Sequence, residues 1–261
     1  MRIIAIMNNK GGVGKTVTAI NLADILSRDY GKRVVLVDCD GQANLTRFYL
    51  PEFDGETNTT TSDVLLGTSE PVWSDNLTPL RAGLDLLPAD SSLYELDRRA
   101  IQDGVGSPER LVWFARAAQE DAEADFMIFD CPPGFTLASV GALMAADEVV
   151  IPMMVDGFGF SGMADLTQQL ASLRRTQYKA RIAGVLVTQW HNSPVVTQGE
   201  SFLRQMGRVP VFHTVIRRTD KVVESTLDRM PVTQYSRQSA AARDYRSWVA
   251  EYLGEVLGDG V

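Results

Sequence analysis

Cysteine is scarce in this chain, with two in 261 residues, too few for a disulfide framework or a cysteine-built metal site. Cys39 and Cys131 each follow an aspartate at the end of an apolar run, where they read as reduced cytosolic thiols used for packing. Long apolar runs are also missing: no stretch approaches the ~20 residues of a membrane span. The first residues enter a strand pattern directly and show no signal-peptide layout, so the expected location is cytoplasmic. The last segment, 247–261, has three acids and no Lys or Arg, which argues against a basic amphipathic membrane helix there. Positive charge is in deficit overall, 25 Lys and Arg against 33 Asp and Glu, unlike a protein that coats nucleic acid.

What the chain does have is core material, with 45% hydrophobic residues. Its length allows one large α/β domain or two small ones, and no repeat or interdomain linker is visible. The expectation is a single domain over 1–261, with no leading helix-turn-helix domain. Charge is unevenly spread: residues 47–171 carry 6 basic and 21 acidic side chains, whereas 172–246 carry 13 and 5. The basic third is either a local anion-binding face or a set of arginines scattered over solvated helices, and geometry decides between them.

Apolar runs alternate with amphipathic stretches. The pattern predicts strands at Ile3–Met7, Arg33–Asp38, Leu84–Pro88, Phe126–Asp130, Glu148–Pro152, Ile182–Thr188 and Val209–Phe212. It predicts helices at Thr16–Arg28, Ser91–Gln102, Pro108–Glu120, Ala138–Ala145, Met163–Thr176, Val195–Met206, Asp220–Asp228 and Ser239–Leu257. Thr57–Ser62 is a polar loop leading into a short helix, and Gly104–Ser107 a turn. Fully apolar strands interleaved with helices mean an α/β fold with a mostly parallel sheet and helices on both faces, and the Gly-rich Lys10–Thr16 loop after the first strand makes it one of the P-loop NTPase type. Ligands bind such sheets at the carboxyl ends of the strands.

The residues after those strand ends carry the chemistry. Between the first strand and first helix lies Lys10-Gly11-Gly12-Val13-Gly14-Lys15-Thr16, a phosphate-binding P-loop in its required context. The glycines let the backbone wrap an anion closely. The helix start points free N–H groups at the phosphates, Lys15 can reach the β- and γ-phosphates, and the Thr16 hydroxyl can ligate Mg²⁺. After the second strand comes Asp38-Cys39-Asp40-Gly41-Gln42-Ala43-Asn44, whose two carboxylates can address a Mg²⁺ shell and a nucleophilic water. Phe126–Phe129 runs into Asp130-Cys131-Pro132-Pro133-Gly134, a Walker B pattern that places a carboxylate on the Mg²⁺ shell. The expected cofactors are a nucleotide held by its phosphates and Mg²⁺.

A P-loop needs only the lysine beside the threonine, yet this one has a second at position 10. KGGVGKT resembles the deviant Walker A motif of the ParA/MinD family of ATPases, which implies ATP and Mg²⁺ as cofactors and a Mg²⁺-dependent ATPase activity. The resemblance implies that Lys10 crosses a dimer interface to the partner's nucleotide, that Asp38 lies near Mg²⁺, and that Asp40 orients the attacking water. It implies nucleotide contacts from Gly11 through Val17, and an acidic residue near the nucleotide across the dimer at Asp156, which ends Ile151–Val155. Ile216-Arg217-Arg218 sits where the family holds the adenine. Three departures are visible: Gly41 and Arg217 stand where the family has proline, and Val17 where it has Thr or Ser. The last loses one hydroxyl hydrogen bond, about 0.5–1.5 kcal/mol.

Within that resemblance the first reading is a ParA-type partitioning ATPase. It forms an ATP-dependent homodimer, binds double-stranded DNA without sequence preference, becomes nucleoid-associated with ATP, and is stimulated by a ParB-type protein. Arg217, Arg218, Lys221 and Arg246 are the candidate DNA contacts. The alternatives are positioning of a protein cargo by the same chemistry and a MinD-like membrane ATPase, the latter opposed by the acidic C-terminal segment. Iron–sulfur relatives are opposed by the missing cysteines.

Overall fold

The computed structural model describes residues 1–55, 58–70, 72–121, 123–156, 166–170 and 180–258, with side chains to 254. A seven-stranded sheet forms its centre, built from β1 (Arg2–Ile6), β2 (Val34–Asp38), β3 (Thr78–Arg81), β4 (Leu84–Leu87), β5 (Phe126–Asp130), β6 (Glu148–Met153) and β7 (Arg181–Val187). Their spatial order is β3-β4-β2-β5-β1-β6-β7, and every pair is parallel except β3 with β4. Helices follow the strands: α1 (Lys15–Arg28), α2 (Asn44–Tyr49), α3 (Thr61–Leu66), α4 (Ser92–Asp103), α5 (Glu109–Glu120), α6 (Leu137–Ala145), α7 (Pro194–Met206), α8 (Asp220–Leu227), α9 (Val232–Tyr235) and α10 (Ala240–Gly258).

The central strands are apolar throughout because both of their faces are covered. Alternate side chains enter two separate cores. Ile3, Ala5, Val35, Val37, Met127 and Phe129 meet helices α3 to α6. Ile4, Ile6, Val34, Leu36, Phe126 and Ile128 meet α1, α2 and α10, where Tyr245, Trp248 and Tyr252 are fully buried. Buried Glu148 at the start of β6 is paired with Arg2 and Arg181 and accepts the Tyr252 hydroxyl, which ties α10 to the sheet. Because β1 and β2 both lie next to β5, their C-terminal loops open side by side. That juxtaposition brings the three motif segments together.

Six of the seven predicted strands and most helices fall where the sequence pattern puts them. Val209–Phe212 does not form a strand; it makes one parallel bridge, Val185 to Val211. Pro210 lacks an N–H and can only accept, from Val185, so the ladder stops there. The pattern does not predict the edge strand β3, which contains Pro79, tolerable only at an edge. It also misses α2, α9 and a 3-10 turn at Trp73–Asn76, all short elements without a full apolar period. Thr60 caps α3 reciprocally with Asp63, as its polar approach suggests. Of the predicted helix Met163–Thr176, residues 166–170 are helical and the rest lie outside the described residues. Among the described residues no helix is long and apolar enough to cross a membrane.

Candidate active site

The loop between β1 and α1 is shaped by its glycines. Gly12 and Gly14 take φ of 72° and 86°, the left-handed region that side chains strain to adopt. A Cβ built on Gly11 or Gly12 would meet no protein atom within 4 Å. The loop's bareness therefore serves something other than internal packing. Its carbonyls are turned outward and held: Gln189 Nε2 donates to the Gly12 carbonyl at 2.7 Å, and the Thr188 hydroxyl to that of Val13 at 2.8 Å. The amides of Gly11 to Gly14 donate to no protein acceptor among the described residues. A ring of free N–H groups at a helix start is an anion cradle.

Lys15 is buried, and its Nζ donates to the Lys10 carbonyl at 3.0 Å, arching back over the loop. Burial lowers its pKa, against the opposing pull of Asp130 and Asp40. Asp38 and Asp130 stand opposite each other at the ends of β2 and β5, both buried. Burial raises the pKa of each, to about 6 for Asp38 and well above the usual range for Asp130, which also feels Asp38.

The two carboxylates differ in what they hold. Asp38 accepts the Thr46 N–H and hydroxyl at 2.9 and 2.7 Å and the Asp40 N–H at 3.1 Å, so it organises the turn that presents Asp40. The nearby Thr16 hydroxyl opposes the rise in the Asp130 pKa, and Asp130 Oδ1 is buried with no hydrogen-bond partner. An orphaned carboxylate oxygen beside a threonine hydroxyl and a second acid fits a hydrated divalent cation. Thr16 and Asp130 would hold it, with Asp38 nearby, and it would supply neutralisation of phosphate charge.

The phosphate loop, Lys15 and Thr16 open onto one cavity of about 740 Å³, lined also by Asp40, Gln42, Tyr94, Pro132 and the segment Ile216–Asp220, with Asp38 and Asp130 buried outside its lining. Its size suits a nucleotide. Asp40 faces it with Oδ1 accepting the Gln42 N–H at 2.9 Å. At the far end, Arg217 turns to Asp244 on α10: its backbone N–H donates at 2.9 Å and its guanidinium at 2.6 and 2.9 Å. A proline in this position would lack that N–H, so the departure at Arg217 goes with Asp244. Val17 and Arg218 also line the cavity.

Lys10 lies outside it, bonded through Nζ to the Asp156 carboxylate of its own chain. Lys221 pairs with Glu224 at 2.6 Å and Arg246 with Asp29 at 3.0 Å. Sequence reasoning passed over Thr188, Gln189, Tyr94 and Asp244. Thr188 ends a predicted strand, on the ligand side of a parallel sheet, and that position was the available signal.

Comparison with known proteins agrees with this geometry. A family model described as an AAA domain matches residues 1–183. The chromosome-partitioning ATPase Soj of Thermus thermophilus is 34% identical over 98% of this chain and 97% of its own. The chromosome partitioning protein ParA of Caulobacter vibrioides is 31% identical over 97% and 94%. Among solved structures, apo McdA of Cyanothece superposes with a TM-score of 0.84 at 22% identity, covering 97% of this chain and 100% of that one, which speaks to the fold alone. A phosphate cradle, a buried lysine, an orphaned carboxylate and matches spanning nearly the whole chain lead to one conclusion: it belongs to the ParA/Soj/MinD family of deviant Walker A P-loop ATPases and is an ATP hydrolase.

Proposed function

We propose that this ATPase is a nucleotide-timed positioning switch: ATP closes a two-fold homodimer, and a partner protein accelerates hydrolysis and reopens it. The observation that carries the reading is the division of labour between two lysines. Lys15 is buried over its own phosphate loop, whereas Lys10 stands outside its own cavity with its side chain 29% exposed, beside Asp156. On leaving Asp156, Lys10 can serve a nucleotide in the second subunit. In this scheme the Gly11–Val17 backbone and Lys15 bind phosphates, Thr16 and Asp130 hold the metal, and Asp40 orients the water.

The cargo reached through the partner is either DNA or a protein assembly. The partitioning names of Soj and ParA support DNA as track or cargo, with a ParB-type partner and contacts from Arg217, Arg218, Lys221 and Arg246. The ion pairs favour the alternative, positioning of a protein cargo. Arg217, Lys221 and Arg246 are neutralised by Asp244, Glu224 and Asp29, and of the four only Arg218 has no acidic partner among the described residues. Light scattering with and without ATP tests the switch, and a nucleotide-independent oligomeric state defeats it. A gel shift on duplex DNA then separates the cargoes. Retardation that needs ATP supports the DNA reading; an ATP dimer that ignores DNA leaves the protein cargo.

A further inference from the structure

Gly41 replaces a proline in the Asp40 turn, and nothing in its backbone calls for glycine, since its φ is not positive. What it lacks is room. A Cβ there would lie 2.9 Å from Cε2 and Cζ of Tyr94 and 3.1 Å from Cδ2. The Tyr94 ring is laid on the Gly41 backbone, nearer than any side chain permits. Its hydroxyl accepts a hydrogen bond from Gln42 Nε2. Gln42 and Tyr94 both line the nucleotide cavity beside Asp40.

Tyr94 is firmly based. Its neighbours on α4, Leu93 and Leu96, are buried in the core. One turn further, Asp97 Oδ1 accepts the N–H of Leu137 at 2.8 Å, at the start of α6, just beyond the Asp130–Gly134 loop. A single turn of α4 thus grips both loops that carry the acids: Tyr94 holds Asp40-Gly41-Gln42, and Asp97 holds the segment after Pro132-Pro133. Yet Tyr94 is 48% exposed, more than core packing alone would ask of it.

We propose that Tyr94 is a positioning residue for ATP hydrolysis: it clamps the Gly41–Gln42 turn from above, so that Asp40 meets the attacking water in register with the Asp130 loop, and Gly41 exists to admit its ring. The assignment rests on the ATPase reading of the cavity. The clamp touches the water-positioning turn and not the phosphate cradle, so its removal should cost turnover more than ATP affinity.

The test is a double-mutant cycle with steady-state turnover and calorimetric ATP binding on the full chain. Tyr94→Ala is expected to slow turnover roughly ten- to hundredfold, the scale of an ångström-size misplacement, and to weaken ATP binding by a clearly smaller factor, since Tyr94 also lines the cavity. Tyr94→Phe keeps the ring and loses the Gln42 bond, so it should fall between wild type and Tyr94→Ala. Gly41→Ala should slow turnover when Tyr94 is present and add no further loss in the Tyr94→Ala background, where the ring is gone. Unchanged turnover in Tyr94→Ala, or Gly41→Ala equally harmful in both backgrounds, overturns the clamp and leaves the ATPase reading intact. A wild-type protein that binds no ATP overturns that reading and the clamp with it.

Discussion

Gly12→Ala separates the two things a phosphate loop must do, hold its own shape and leave space. The residue sits at φ 72°, and a Cβ there meets no protein atom within 4 Å. The fold therefore suffers only backbone strain, about 1–2 kcal/mol for an L-residue in the left-handed region. Relief of unfolded-chain entropy offsets roughly 0.4–1 kcal/mol of it. A net loss near 1 kcal/mol lowers Tm by about 2–4 °C in a chain of this size. The nucleotide suffers more. A methyl group in the cradle keeps a phosphate oxygen from the loop amides, and each missing charged hydrogen bond costs about 1.5–3 kcal/mol. That corresponds to roughly 10- to 150-fold weaker binding. Thermal unfolding without nucleotide and titration calorimetry with Mg-ATP measure the two effects on one sample. A variant that melts several degrees lower yet binds ATP as wild type does would refute the argument, because the emptiness around Gly12 would then have no ligand to serve.

Lys15→Ala should abolish measurable ATP binding in calorimetry; it removes the cation that arches over the loop beside Asp130. Wild-type affinity would sink the phosphate-site assignment. Asp40→Ala should bind ATP normally but hydrolyse it slowly, accumulating as an ATP-bound dimer in size-exclusion light scattering. Lys10→Ala should do the opposite, binding ATP yet dimerising poorly; an unchanged dimer would return Lys10 to a surface role. For DNA, charge removal at Arg218 should weaken ATP-dependent retardation more than Arg217→Ala, since Arg217 is already neutralised by Asp244. The slope of log affinity against log salt should flatten by about one for each phosphate that the variant no longer neutralises. Equal effects, or none, would defeat that ordering. Arg217→Ala should also lower stability by no more than about 1 kcal/mol, because the pair is partly solvated.

The sheet and its order of helices were legible because each central strand is apolar on both faces and each long helix keeps its period. The short elements were not. α2 has six residues and β3 four, too few for periodicity to speak, and β3 takes its edge place from pairing with β4. At Val209–Phe212 the apolar run looks like a strand, but Pro210 breaks the donor pattern that a strand needs.

For the site, local sequence determined the phosphate loop, the strand-end acids and the family. Those motifs act through backbone conformation and residue type at fixed spacing, both written in a few consecutive residues. Only tertiary structure decided what each group holds. Asp38 and Asp130 are both strand-end aspartates, yet Asp38 is occupied by Thr46, from α2, and Asp130 keeps an unpartnered oxygen. The basic third of the chain is read from composition alone as either one anion-binding face or scattered arginines. Folding brings Asp244 to Arg217 and Asp29 to Arg246 across 27 and 217 residues, fixing which of the basic side chains are paired, which a count along the chain leaves open. Gly41 reads as a departure until Tyr94, 53 positions away, lands on it. Long-range proximity is a property of the packed chain, and no local pattern encodes which side chain will arrive.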